Sequence, residues 1–409
     1  MASPVDKRPF DDFRLAITDP RYFFGRDAFL RTMRQTPFEV RFLLGGRRVG
    51  KTSTLRAVEW SLLAPLTGGP YRAFPVFVSL EVEQPESLAH LRYVLCMRLQ
   101  EAMNRWRHAR RAPLREVYDR FLHQWPGKVT LTLPFQLFKW EFGARERRLM
   151  HDDFRRALLR RITKLRTWQF EGVCFLLDEA EFIVRQPWAN DAWSYFRGLK
   201  DTDTALKPFL GLLLSGYRDV KEYEQRVGSP LRNIARVEWL EPLHESETRA
   251  LITRRAEEEQ LSLSAADIVA MLEWAGGHPF LTQQMLNTLF DARHQAILAC
   301  TIEQLVPTLL RQHQHNFAGW WNADQRSDGF SDVERTVYRA LVSYRQGTAE
   351  SLAQGTDYSP LQVADTLEVL VGTGVVRSAD DEHYVIGARL FEAWVGQQTS
   401  GLSQDVSSS

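Results

Sequence analysis

A chain of 409 residues, 44% hydrophobic and 25% charged, can bury a large core and should divide into roughly two to four domains. A formal net charge of +1 excludes the overall basic excess of a typical duplex binder, so any nucleic-acid contact must arise from local charge. Cys96, Cys174 and Cys300 stand apart with no Cys-x-x-Cys pair, which excludes a disulfide framework and a structural zinc site.

The opening stretch, "MASPVDKRPFDDFR", has no apolar signal core, and no apolar run approaches the ~18 residues needed to span a bilayer. A cytoplasmic protein is expected. Residues 1–20 read as an N-terminal segment. From Phe38 apolar runs rich in β-branched and aromatic residues alternate with amphipathic stretches, the pattern of a mostly parallel sheet covered by helices. Five strands are predicted: "FEVRFLLGG", "RAFPVFVSLE", "GVCFLLDE", "KPFLGLLLSGYR" and "IARVEWLEPL". The third and fourth are apolar on both faces, as central parallel strands should be. Together they define a core over residues 21–241. About ninety residues separate the second strand from the third, where a crossover needs only a dozen or more. This excess is a basic helical insertion over about 84–150, holding "EAMNRWRHARRAPLREVYDRFLHQW" and a hairpin-like "GKVTLTLPFQLFKWEF". The helix "HDDFRRALLRRITKLRTW" then leads into the third strand.

Beyond Pro242 helices take over. Ser264 precedes "AADIVAMLEWAGG", and Thr301 with Gln304 forms a capping box, giving a helical lid over 242–325. From Ser331 the order is three helices, the last opened by Ser359 and Pro360, then the short extended runs "VVRSAD" and "EHYVIG". That order describes a winged helix over 326–396. Residues 397–409 are polar and read as a disordered tail.

One motif carries the chemistry. Gly45, Gly50, Lys51 and Thr52 satisfy G-x-x-x-x-G-K-S/T between the first strand and the helix "TSTLRAVEWSLL". Gly45, Gly46, Arg47, Arg48, Val49, Gly50, Lys51, Thr52 and Ser53 would wrap their backbone N–H groups around phosphates at the helix N-terminus. Lys51 would reach the terminal phosphates and Thr52 would ligate Mg²⁺, with ATP or ADP as the cofactor. At the end of the third strand, Asp178 would hold the metal and Glu179 would act as general base on the attacking water, with Glu181 the other candidate base.

The run "YFFGRDAFLRTM" resembles the Phe-Gly-Arg-acidic box of AAA+ relatives in the STAND class of signal-transduction ATPases. "SPLRNIARVEWLEPLHESETRALI" resembles their fifth strand and lid entry, and "AGGHPFLTQQML" their Gly-x-Pro motif. The resemblance covers roughly residues 20–395 and implies an ASCE/AAA+-like P-loop ATPase with a helical lid and a C-terminal winged helix. It implies that Phe24, Gly25 and Arg26 border the adenine and ribose, and that Pro279 closes over the base. Ser215 and Arg218 fall where the sensor of this class touches the terminal phosphate, and Arg218 is accordingly a candidate catalytic residue. Arg226 and Arg232 fall where an arginine finger serves a neighbouring subunit, and a solvated arginine is the other reading of each. Archaeal replication initiators resemble the chain in length and domain order, but they carry a lid sensor arginine where this chain has "GGHPFLTQQML".

The recognition helix "SPLQVADTLEVLVG" carries Asp365 and Glu368 and no Lys or Arg, so this winged helix reads as a packing module. Arg105, Arg107, Arg110 and Arg111 cluster beside Trp106, either to grip phosphate and stack on a base or as a solvated face over a buried tryptophan. Two function classes follow. One is an ATP-dependent switch that changes conformation or assembles with a protein partner or with itself. The other is a DNA-associated loader or regulator using the basic insertion.

Overall fold

The computed structural model describes residues 16–17, 19–64, 71–109, 148–225, 229–231, 233–294, 300–322, 329–380 and 382–405. The hairpin-like stretch 127–142, Arg110, Arg111, Arg226 and Arg232 lie outside the described residues. The chain forms two compact units. One comprises Ile17–Leu43 and Thr52–Glu238; the other includes Leu44–Lys51 and Trp239–Ser409.

All five predicted strands form, as β1 (Val40–Leu44), β2 (Tyr71–Ser79), β3 (Phe170–Asp178), β4 (Leu210–Gly216) and β5 (Ala235–Trp239). They make one parallel sheet in the order β2-β3-β4-β1-β5. Every residue of β1 and β4 is buried, which is why these strands read as unbroken apolar runs. The exception is Arg41, 1% exposed within β1, whose guanidinium meets Glu39, Glu238 and the Thr36 hydroxyl. Around the sheet lie α1 (Asp27–Gln35), α2 (Lys51–Leu63), the short α3 (Leu80–Glu83), α4 (Leu88–Ala109), α5 (His151–Arg166), α6 (Glu181–Val184), α7 (Ala189–Asp201) and α8 (Arg218–Gln225).

The other unit contains α9 (Glu245–Glu258), α10 (Ala265–Ala275), α11 (Pro279–His294) and α12 (Ile302–Trp321). Their starts follow the capping signals: the Asp267 N–H donates to Ser264 Oγ at 3.1 Å, and the Thr301 N–H donates to Gln304 Oε1 at 3.0 Å. The turn between α10 and α11 needs glycine. Gly277 sits at φ +80°, and a Cβ there would lie 2.3 Å from the Leu243 carbonyl oxygen. Next come α13 (Asp332–Tyr344), β6 (Gln346–Gly347), α14 (Ala349–Gln354), α15 (Pro360–Gly372), β7 (Val376–Ser378) and β8 (Tyr384–Ile386). The three strands form an antiparallel sheet in the order β6-β8-β7. Trp321 anchors this region, with its ring 6.0 Å from that of Tyr338 on α13 and 6.1 Å from that of Phe391.

One expectation is corrected here. The stretch read as a disordered tail from 397 is helical as far as Asp405, because α16 (Arg389–Asp405) continues through it. The helix starts on an apolar stripe of Leu390, Phe391, Trp394 and Val395, all 5% exposed or less, and once nucleated it extends at little cost into polar sequence.

Candidate functional site

The loop Gly45–Gly50 joins β1 to α2, the strand-to-helix context that a phosphate-binding loop requires. Gly50 takes φ +100° and Arg48 φ 64°, both in the left-handed region that a tight glycine-rich loop requires. The Lys51 ammonium donates to the carbonyls of Gly45 and Gly46 at 2.7 and 2.8 Å. It therefore folds back over its own loop, in pairings that phosphate oxygens could displace. Val49 is buried, while Arg47 is exposed.

This loop is tied to the C-terminal elements of its own unit. The Gly46 N–H donates to the Gly372 carbonyl at 2.8 Å, and a Cβ on Gly46 would sit 2.8 Å from Thr373 Cα. Only glycine permits that approach. The Arg48 guanidinium lies 4.2 Å from the ring centroid of Phe280, which follows Pro279 at the start of α11. Phe280 also touches His313 of α12, whose imidazole is pushed down to about 4 by burial and by the charge of Arg48, and so stays neutral.

In the sheet unit, Thr52 and Ser53 occupy the first turn of α2, and Ser53 Oγ accepts the Ile17 N–H at 2.9 Å. Phe24, Gly25 and Arg26 lead into α1, with Gly25 and Arg26 at φ 74° and 66°. The carboxylates stand at the end of β3. Asp178 is 3% exposed and accepts a hydrogen bond from Ser215 Oγ at Oδ1. The Glu179 N–H donates to the same Ser215 Oγ at 3.2 Å, and the Ala180 N–H donates to the Ser215 carbonyl at 2.8 Å. Ser215 therefore ties the end of β4 to the β3 terminus.

Glu179 has φ 64°, a left-handed conformation costly for a side chain of this kind and typical of functional turns. Its Oε2 accepts the Ser79 hydroxyl at 2.7 Å, because the β2–β3 register sets Ser79 opposite Asp178. Burial pushes the Glu179 carboxyl up to about 7, helped by Glu81 and Asp178 and opposed by Ser79. A base in that range suits proton abstraction near neutrality. Ser79 and Glu81 escape sequence reasoning, since only the strand pairing brings them to Glu179. Glu181 opens α6, and Arg218 opens α8 with its Nη2 3.4 Å from Tyr217 Oη.

Of the basic cluster, the described residues are Arg105, Trp106 and Arg107. Trp106 packs against Phe170 and Tyr71 at 5.4 and 5.6 Å between ring centroids. Arg105 is half-buried, and Arg107 is the exposed cation of the pair.

No protein-family model matches the sequence, and no curated protein sequence matches it. Among solved structures, the chain is similar to the Walker-type ATPase PABY2304 of Pyrococcus abyssi, with a TM-score of 0.56 at 17% identity over 94% of this chain and 99% of that one. It also matches the Aeropyrum pernix Orc1 protein in complex with DNA, with a TM-score of 0.45 at 13% identity over 95% and 96% of the two chains. The first likeness, with the sheet order and the loop after β1, makes the fold that of a P-loop NTPase.

Proposed function

We propose that the protein binds ATP at Gly45–Ser53 and hydrolyses it slowly as a conformational switch of the STAND type. The observation that carries this reading is Lys51, held over a glycine loop at the N-terminus of α2 in a P-loop fold. Thr52 and Asp178 offer a hydroxyl and a carboxylate, hard oxygen donors that suit Mg²⁺, an ion that keeps most of its waters. Magnesium would supply charge neutralisation of the phosphates. Glu179 would take the proton of the attacking water, Phe24, Gly25, Arg26 and Pro279 would enclose the base, and Arg218 would face the terminal phosphate.

The switch reading has its own support. Gly46 of the loop is hydrogen-bonded to Gly372, at the end of the third helix of an α13–α15 and β6–β8 arrangement that we read as a winged helix. A ligand that rearranged the loop would strain or relieve this bond, so nucleotide occupancy and C-terminal state would be linked by differential affinity. Its output would be a protein partner or self-assembly. Steady-state hydrolysis with Mg·ATP tests the enzyme. Glu179→Gln should lower the rate by about 10² to 10⁴ while still binding ATP, and Lys51→Ala should lose binding as well. Wild-type protein that binds no nucleotide would end the proposal.

A further inference from the structure

The predicted net charge hides a local excess. Residues 154–169 contain six Lys and Arg and no Asp or Glu. The structure sorts these six cations. Arg155 turns to Asp203 at 2.6 Å, Arg161 donates to the Ala157 carbonyl at 3.2 Å, and Arg166 lies 4.1 Å over the Phe209 ring. Arg156, Arg160 and Lys164 remain on the solvent side of α5, while Phe154, Leu158, Ile162 and Leu165 fill its buried side. Spacing of four residues places the three cations one above another, about 6 Å apart along the axis. Arg156 also meets Asp153 at 2.7 Å, but both partners are more than half exposed, a pairing worth little and readily exchanged.

We propose that the Arg156–Arg160–Lys164 row is a docking surface for the phosphate backbone of duplex nucleic acid, independent of base sequence. Charge complementarity selects the occupant. A row about 12 Å long faces three to four phosphates of one strand at about 3.4 Å of duplex axis each. Trp168, half-buried, follows at the next four-residue step with its ring centroid 5.8 Å from Lys164 Nζ, so the aromatic at this end of the row is already engaged by a cation of the row. A convex helix face offers no pocket for a small anion. The surface is distinct from the Arg105–Arg107 stretch, whose Trp106 is packed inward. It is also separate from α15, which carries Asp365 and Glu368.

Fluorescence anisotropy with the full chain and two unrelated labelled duplexes tests the proposal. Three phosphate contacts predict a log K against log salt slope of about −2.7, equal for both sequences, or roughly forty-fold weaker binding between about 50 and 200 mM salt. Arg156→Gln/Arg160→Gln/Lys164→Gln should abolish that salt-dependent component, and each single neutralisation should flatten the slope by about 0.9. A control, Arg249→Gln/Arg254→Gln/Arg377→Gln, removes the same formal charge from exposed positions on other elements and should leave the slope intact. Thermal melts and ATP binding check that all variants fold. Absence of duplex binding at low salt overturns the proposal and leaves an acidic protein as the partner for the row. Equal losses in the α5 and control variants overturn it too, by reducing the effect to net charge.

Discussion

Arg41 shows how a single residue can be both out of place and required. A charged side chain in the middle of a buried strand is stable only while its charge is matched, here by Glu39 and Glu238, each about one-third exposed. The asymmetry gives a sharp expectation. Glu39→Gln/Glu238→Gln leaves the guanidinium buried without a counter-charge and should cost about 3–5 kcal/mol in chemical denaturation. Arg41→Met keeps the volume and returns two partly exposed carboxylates to water, and should cost no more than about 1 kcal/mol. If the two variants proved equally unstable, the cost would lie in packing and not in charge. At this scale Lys51 and Asp178 were legible from sequence, because glycine spacing and a carboxylate after an apolar run need only neighbours in the chain. Ser79 was not, since its bond to Glu179 depends on a register between strands far apart in sequence. Ser215 lies where the sequence puts it, at the end of β4, but its bond to Asp178 was not legible, because sequence shows where a hydroxyl lies and not what it faces.

Among the elements, the central strands were the most readable and the connections the least. β3 and β4 are buried on both sides, and burial of that kind leaves an unmistakable apolar run. α16 escapes the sequence reading, which places a tail from 397, because its polar second half carries no amphipathic signal and borrows its helicity from the anchored first half. Trp106 was ambiguous for the opposite reason: an aromatic among arginines suits a stacking platform as well as a core, and only contact with Phe170 decides. The turn between α10 and α11 makes an element-scale prediction. Gly277 combines φ +80° with backbone 2.3 Å from where a Cβ would stand, so Gly277→Ala pays twice, in strain and in overlap. A loss of about 2–4 kcal/mol is expected in the unit that contains α9–α12, read as a lower midpoint in denaturant. Gly319→Ala, where nothing lies within 4 Å of an added Cβ, serves as the benign comparison and should be neutral or slightly stabilising.

For the whole molecule, binding and catalysis make separate demands, and stability can tell them apart. A ligand that binds only the folded chain stabilises it by about 2.7 kcal/mol at one hundred times its dissociation constant, which for a protein of this size is a rise of a few degrees in Tm. On the proposed reading Lys51 would supply attraction in the ground state, whereas Glu179 would act on the water and contribute little to holding the phosphates. Mg·ATP should therefore raise the Tm of the wild type, leave Lys51→Ala unchanged, and raise that of Glu179→Gln at least as much, because that variant does not consume its ligand. The non-hydrolysable analogue should match Glu179→Gln with every chain except Lys51→Ala. A full shift in Lys51→Ala would mean that the nucleotide binds elsewhere, and the loop after β1 would then be a helix cap and not a phosphate site. A shift in the wild type with no hydrolysis would preserve the binding reading and remove Glu179 from catalysis.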